Sequence, residues 1–82
     1  MKILKFEATW CGPCKQMDKV IETIDFDVEI DKIDIDDNRE ALEKYSVRSV
    51  PTLIRVDDEG VELDRLIGSQ GAEDIKAFVN GN

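Results

Sequence analysis

Apolar residues fall in short runs whose period changes along the chain. Ile3, Leu4, Phe6 and Ala8 form a strand-length segment that gives way at Thr9-Trp10-Cys11-Gly12-Pro13-Cys14 to turn and helix-start signals. Met17, Val20, Ile21 and Ile24 then recur at spacings of three, four and seven, with Lys15, Asp18, Lys19 and Glu22 on the outer side. That is the stripe of an amphipathic helix. Val28, Ile30, Ile33 and Ile35 predict a second strand, but the alternation changes phase near Lys32 and leaves the register open. Asp37 followed by Glu40 has the form of a capping box, and Ala41, Leu42 and Tyr45 supply the apolar face of a second helix. Residues 52–56 and 61–67, joined by Asp57-Asp58-Glu59-Gly60, predict an antiparallel hairpin. Ala72, Ile75, Phe78 and Val79 return to helical spacing, and Gly81 is placed to stop that helix.

The resulting order is βαβαββα, an α/β fold. Strands alternating with helices imply a parallel pair joined by a right-handed crossover, and the hairpin adds an antiparallel half. The expectation is a mixed four-stranded sheet with three helices. A chain of 82 residues has material for one core, so residues 1–82 are read as a single domain. No repeat, linker or low-complexity tract interrupts it.

Charge removes several function classes. Eleven Lys and Arg against 19 Asp and Glu give a net charge of −8, which repels phosphate backbones and anionic membrane surfaces. Nucleic acid and membranes are not expected partners. No apolar run approaches the roughly 20 residues that cross a bilayer, and the opening Met1-Lys2-Ile3-Leu4-Lys5 is unlike a secretory signal. A cytoplasmic monomer is the expectation. The acidic clusters Asp34-Ile35-Asp36-Asp37 and Asp57-Asp58-Glu59 read as solvated turns and helix starts, not metal sites. With no histidine and two cysteines, one chain cannot complete a four-ligand structural zinc site or a Ser-His-Asp or Cys-His arrangement. Catalysis must come from cysteines, carboxylates or amines.

Cys11-Gly12-Pro13-Cys14 at a strand-to-helix junction carries that chemistry. A thiol at a helix N-terminus faces unpaired N–H groups and the positive end of the dipole, which favours its thiolate. Cys14 lies one turn further in and can close a small disulfide with Cys11. Cys11, at the exposed end, is expected to attack a substrate disulfide. The more buried Cys14 then resolves the mixed disulfide. Pro13 suits a first helical turn because it has no N–H to leave unpaired. Gly12 lets another backbone approach, and Trp10 offers a flat surface beside the nucleophile. A purely structural disulfide would close too short a loop to stabilise much.

The string Trp10-Cys11-Gly12-Pro13-Cys14-Lys15, with Phe6 and Ala8 before it and Val50-Pro51-Thr52 and Gly68 after it, resembles the thioredoxin family across nearly the whole chain. Gly12-Pro13 and Trp10 separate it from glutaredoxins, which typically carry Tyr before the first cysteine and Pro-Tyr or Pro-Phe between the pair. The length is nevertheless close to glutaredoxins and to small archaeal or phage thioredoxins, and the extra N-terminal strand and helix usual in thioredoxins have no counterpart here. The resemblance implies a protein disulfide reductase with no cofactor beyond the Cys11–Cys14 disulfide. It also implies a separate disulfide reductase as electron donor and disulfide-bearing proteins as targets. It makes Pro51 a cis proline facing the cysteines and gives Val50 a backbone that pairs with an extended substrate segment. Gly68 leaves room for that segment. A thioredoxin-fold binding or assembly module is the alternative, as is a glutaredoxin-like protein; a metal or cluster shared between two CxxC pairs is a third reading.

One position departs from the family. Thioredoxins commonly bury an Asp six residues before the first cysteine, and Lys5 stands there. The lysine on the neighbouring strand is retained as Lys32, with Glu7 and Asp34 as available carboxylates. Lys5 is expected to reach past the core edge to an acidic neighbour, leaving Cys14 without a dedicated buried base. The Cys14 proton then moves through water, through Glu7 or Asp34, or through a neutral Lys5, with Lys32 contributing electrostatically. On that reading Lys5→Asp rebuilds the family arrangement with Lys32.

Overall fold

A computed structural model describes residues 1–81. The elements are β1 (Lys2–Glu7), α1 (Gly12–Glu22), β2 (Glu29–Asp34), α2 (Arg39–Lys44), β3 (Thr52–Val56), β4 (Glu62–Ile67) and α3 (Ala72–Val79). The strands form one sheet in the order β2-β1-β3-β4. β1 runs parallel to β2 and antiparallel to β3, and β3 pairs antiparallel with β4.

Alternation of side chains across the strands divides the core into two layers. Ile3 and Leu53 pack with Met17 of α1 and with Ile75, Phe78 and Val79 of α3. Leu4, Phe6, Ile54 and Val56 point the other way, against Ala41, Leu42 and Tyr45 around α2. Leu53 and Phe6 are fully buried, and truncating such a side chain to Ala costs about 2–5 kcal/mol.

The two layers also account for the phase change in β2. Val28 and Ile30 belong to the α1/α3 layer, and Ile33 and Ile35 to the α2 layer. The strand is regular, with Lys2 opposite Glu29 and Glu7 opposite Asp34. Covering a sheet on both faces requires apolar residues of both phases.

The predicted capping box at Asp37 does not form. The N-cap of α2 is Asn38, which makes no side-chain capping bond. The preceding turn takes the local donors instead: Asp37 N–H and Asn38 Nδ2 both donate to the Asp34 carbonyl, and Asp36 N–H donates to Asp34 Oδ1. α2 ends in a Schellman motif, in which Val47 N–H reaches the Leu42 carbonyl and Ser46 N–H the Glu43 carbonyl. Ser46 supplies the left-handed residue, at φ 52°. The β3–β4 turn closes through Asp57, whose Oδ1 accepts from the N–H groups of Glu59 and Val61, with Gly60 at φ +82°.

Candidate active site

β1 delivers the chain to the rim of the sheet, where Cys11 N–H donates to the Ala8 carbonyl at 3.1 Å and α1 begins. Cys11 is the N-cap of α1 in extended conformation, and its Sγ accepts the Cys14 N–H at 3.1 Å. A sulfur thus occupies the place of the usual capping oxygen, aimed at otherwise unpaired helix amides. Pro13 lies in the first turn, as its missing N–H allows.

Cys11 and Cys14 are joined in a disulfide, with Cα atoms 5.3 Å apart. Both are buried, Cys11 being 4% and Cys14 2% exposed. The exposed position expected for Cys11 is therefore not found in the oxidised protein. Ala8, Ile35 and Val50 pack around the pair. The surface in front of Gly12 is open, because a side chain grown there would meet no atom within 4 Å.

Three further segments carry the remaining predicted site residues. Trp10 is 66% exposed, and its Nε1 donates to Asp36 Oδ2 in the turn after β2 at 3.0 Å. The Val50–Pro51 bond is cis, as expected. Buried Thr52 braces the loop by donating from Oγ1 to the Ser49 carbonyl at 2.8 Å. Gly68 N–H donates to the Pro51 carbonyl at 2.9 Å. It does so at φ +88°, a conformation that explains a glycine there independently of any incoming chain. The sequence places Asp36 in an acidic turn and Thr52 in the Val50-Pro51-Thr52 string, with no role for either side chain.

Lys5 pairs with an acidic neighbour as expected, but it does not reach past the core edge. Lys5 has no solvent exposure at all; it sits on the face of β1 that carries Ile3 and is turned toward α1. Its Nζ donates to Glu7 Oε1 at 2.5 Å and lies 3.0 Å from Asp18 Oδ1. Asp18 also lies 3.6 Å from Lys32 Nζ. The side chains of Asp18 and Glu7 remain 24% exposed, so the cluster reaches water at its edge. Lys5 cannot snorkel, because α1 covers it; it stays buried because two carboxylates meet it there. Asp34 takes no part and shapes the turn before α2. Asp18 had been assigned to the outer face of α1. The signal for it was its position four residues after Cys14, one turn along the same helix.

The comparisons agree with this architecture. The thioredoxin family model matches residues 1–81. The thioredoxin of Staphylococcus epidermidis is 42% identical over 79 residues, 92% of this chain and 75% of that one. The thioredoxin of Chlamydia caviae is 38% identical over 81 residues, 95% of this chain and 78% of that one. Among solved structures, thioredoxin 1 of Thermosipho africanus matches with a TM-score of 0.82 at 31% identity, covering 99% of this chain and 92% of that chain. The thioredoxin of Fasciola hepatica matches with a TM-score of 0.84 at 34% identity, covering 96% and 77%. The fold and the paired cysteines define a thiol–disulfide oxidoreductase. The chain belongs to the thioredoxin family and is a protein disulfide reductase.

Proposed function

We propose that Cys11 is the attacking thiol and Cys14 the resolving one. The observation that carries this is the N-cap geometry: Cys11 Sγ faces the first amides of α1, while Cys14 lies inside the helix. The Cys11 thiolate attacks one sulfur of a target disulfide, forming Cys11–S–S–target and releasing the other target sulfur as a thiolate that takes a proton from water. Cys14, deprotonated, attacks Cys11 Sγ; the Cys11–Cys14 bond forms and the remaining target sulfur leaves as the second thiolate. Two electrons pass from the dithiol to the target. The dithiol and disulfide of Cys11 and Cys14 are the redox centre, with no bound cofactor, and a separate disulfide reductase restores the dithiol.

The opening in front of Gly12 is where an extended target segment lies, pairing with the backbone at Val50 and crossing Pro51 and Gly68. Main-chain pairing of this kind accepts many sequences. Exposed Trp10 provides an apolar wall at the edge of the same opening. The net charge of −8 favours a monomer by disfavouring self-association. A reductase whose working form is a dithiol fits the cytoplasm, where thiols are kept reduced. In addition, no helix is long and apolar enough to cross a membrane among the described residues.

Insulin reduction driven by dithiothreitol tests the activity: the wild type accelerates precipitation of the freed B chain, whereas Cys11→Ser does not. Cys14→Ser is expected to accumulate mixed disulfides through Cys11, and failure to trap any target under oxidising conditions would contradict the exchange scheme.

A further inference from the structure

Resolution requires the buried Cys14 thiol to lose a proton, and the strand beneath α1 holds a buried cation, Lys5, between two carboxylates. We propose that Asp18 handles this proton, with Lys5 and Glu7 as the groups that position it. The inference rests on Cys14 being the resolving thiol.

Geometry singles out Asp18. It follows Cys14 by four residues on α1, a spacing that sets side chains about 5–6 Å apart at Cβ on one helix face. On this proposal a single water carries the proton between the two groups. Asp18 Oδ1 is buried and ion-paired, 3.0 Å from Lys5 Nζ and 3.6 Å from Lys32 Nζ. A carboxylate offers about four lone-pair sites on its two oxygens, so these ion pairs hold it in place and still leave room for a proton. The one-quarter exposure of the Asp18 side chain gives the proton an exit to water.

Charge balance permits the transfer. The charged groups of the cluster are Lys5 and Glu7 from β1, Lys32 from β2 and Asp18 from α1, two cations against two anions. When Asp18 takes the proton, Lys5 keeps Glu7 as its counterion, so no buried cation is left alone. Glu7 therefore lets Asp18 change charge. Without it, protonating Asp18 would leave Lys5 a buried cation with no counterion.

The two thiols can be read separately with 5,5′-dithiobis(2-nitrobenzoic acid) in stopped flow on the reduced full-length protein. Attack by Cys11 releases a first thionitrobenzoate, and resolution by Cys14 releases a second. Asp18→Asn is expected to leave the first phase unchanged and to slow the second roughly ten- to a hundredfold at pH 7. The second phase should then rise with hydroxide concentration across the pH range, and Asp18→Glu should restore most of the rate. Lys5→Met/Asp18→Asn removes the buried cation and leaves Glu7 at the water's edge, so no buried charge is stranded, and its second phase should stay slow. A wild-type second phase in Asp18→Asn, or its return in the double variant, would overturn the role of Asp18 while leaving the order of attack intact. A first phase that survives in Cys11→Ser would overturn the order of attack and this proposal with it.

Discussion

Trp10 is tied across the front of the active site to Asp36: the indole Nε1 donates to Asp36 Oδ2 at 3.0 Å, joining the loop before α1 to the turn after β2. The bond fixes an indole that is otherwise two-thirds exposed. An exposed hydrogen bond contributes only about 0.5–1.5 kcal/mol, so its value lies in orientation. Asp36→Ala is expected to leave the unfolding midpoint nearly unchanged and to raise KM for insulin severalfold at constant kcat. An equal loss in kcat would show instead that the indole acts on the thiol chemistry.

Lys5 reverses an expectation drawn from the family pattern. Lys5→Asp would seem to rebuild a familiar site, but here it sets a third carboxylate against Glu7 and Asp18, with Lys32 alone to balance them. Urea denaturation should show a loss of about 3–5 kcal/mol. Lys5→Met leaves Asp18 beside Lys32 and Glu7 at the water's edge, so its loss should be clearly smaller. Equal stability of Lys5→Asp and the wild type would mean that the cluster does not carry these charges.

Ser46 occupies the left-handed position that closes α2. A side chain in that conformation costs about 1–2 kcal/mol, part of which glycine returns as chain entropy in the unfolded state. Ser46→Gly is therefore expected to stabilise the protein by about 0.5–1 kcal/mol, or several degrees in Tm for a domain of this size. A lower Tm would contradict the assigned motif.

The ion pair on β4 sets an acid limb. Hydrogen bonds from Arg65 hold the Glu62 carboxyl below its ordinary value. Because the folded value is depressed, the stabilisation is full above the unfolded carboxylate range, near pH 4.3, and is lost as the pH falls through the folded value. Glu62→Gln should thus be less stable than the wild type at pH 7, and the two urea midpoints should converge toward pH 2. A gap of constant size across that range would mean that charge is not its source.

Much of this was legible in the chain. Cys11-Gly12-Pro13-Cys14 at a strand end, the helical stripe of Met17, Val20 and Ile21 and the hairpin around Gly60 are local patterns, and each forms where its spacing implies. Ile24, in contrast, lies past the end of α1 and joins the core from the following turn. What stayed hidden depends on contacts between distant segments. The phase change in β2 makes sense only once both faces of the sheet are covered. Asp18 looks like an outer helix residue until Lys5, on a separate strand, turns beneath α1 to meet it. Asp37 lost the N-cap to Asn38 because the carbonyl and carboxylate of Asp34 organise the turn first.

The order of the two thiols is open to direct measurement. The reduced full-length protein is treated at pH 7 with less than one equivalent of iodoacetamide, and the labelled peptides are quantified by mass spectrometry. Cys11, capping α1 with its sulfur toward the helix amides, should carry nearly all of the label, and Cys14 should react only after denaturation. Preferential labelling of Cys14 in the folded protein would contradict the assignment of attacking and resolving cysteines.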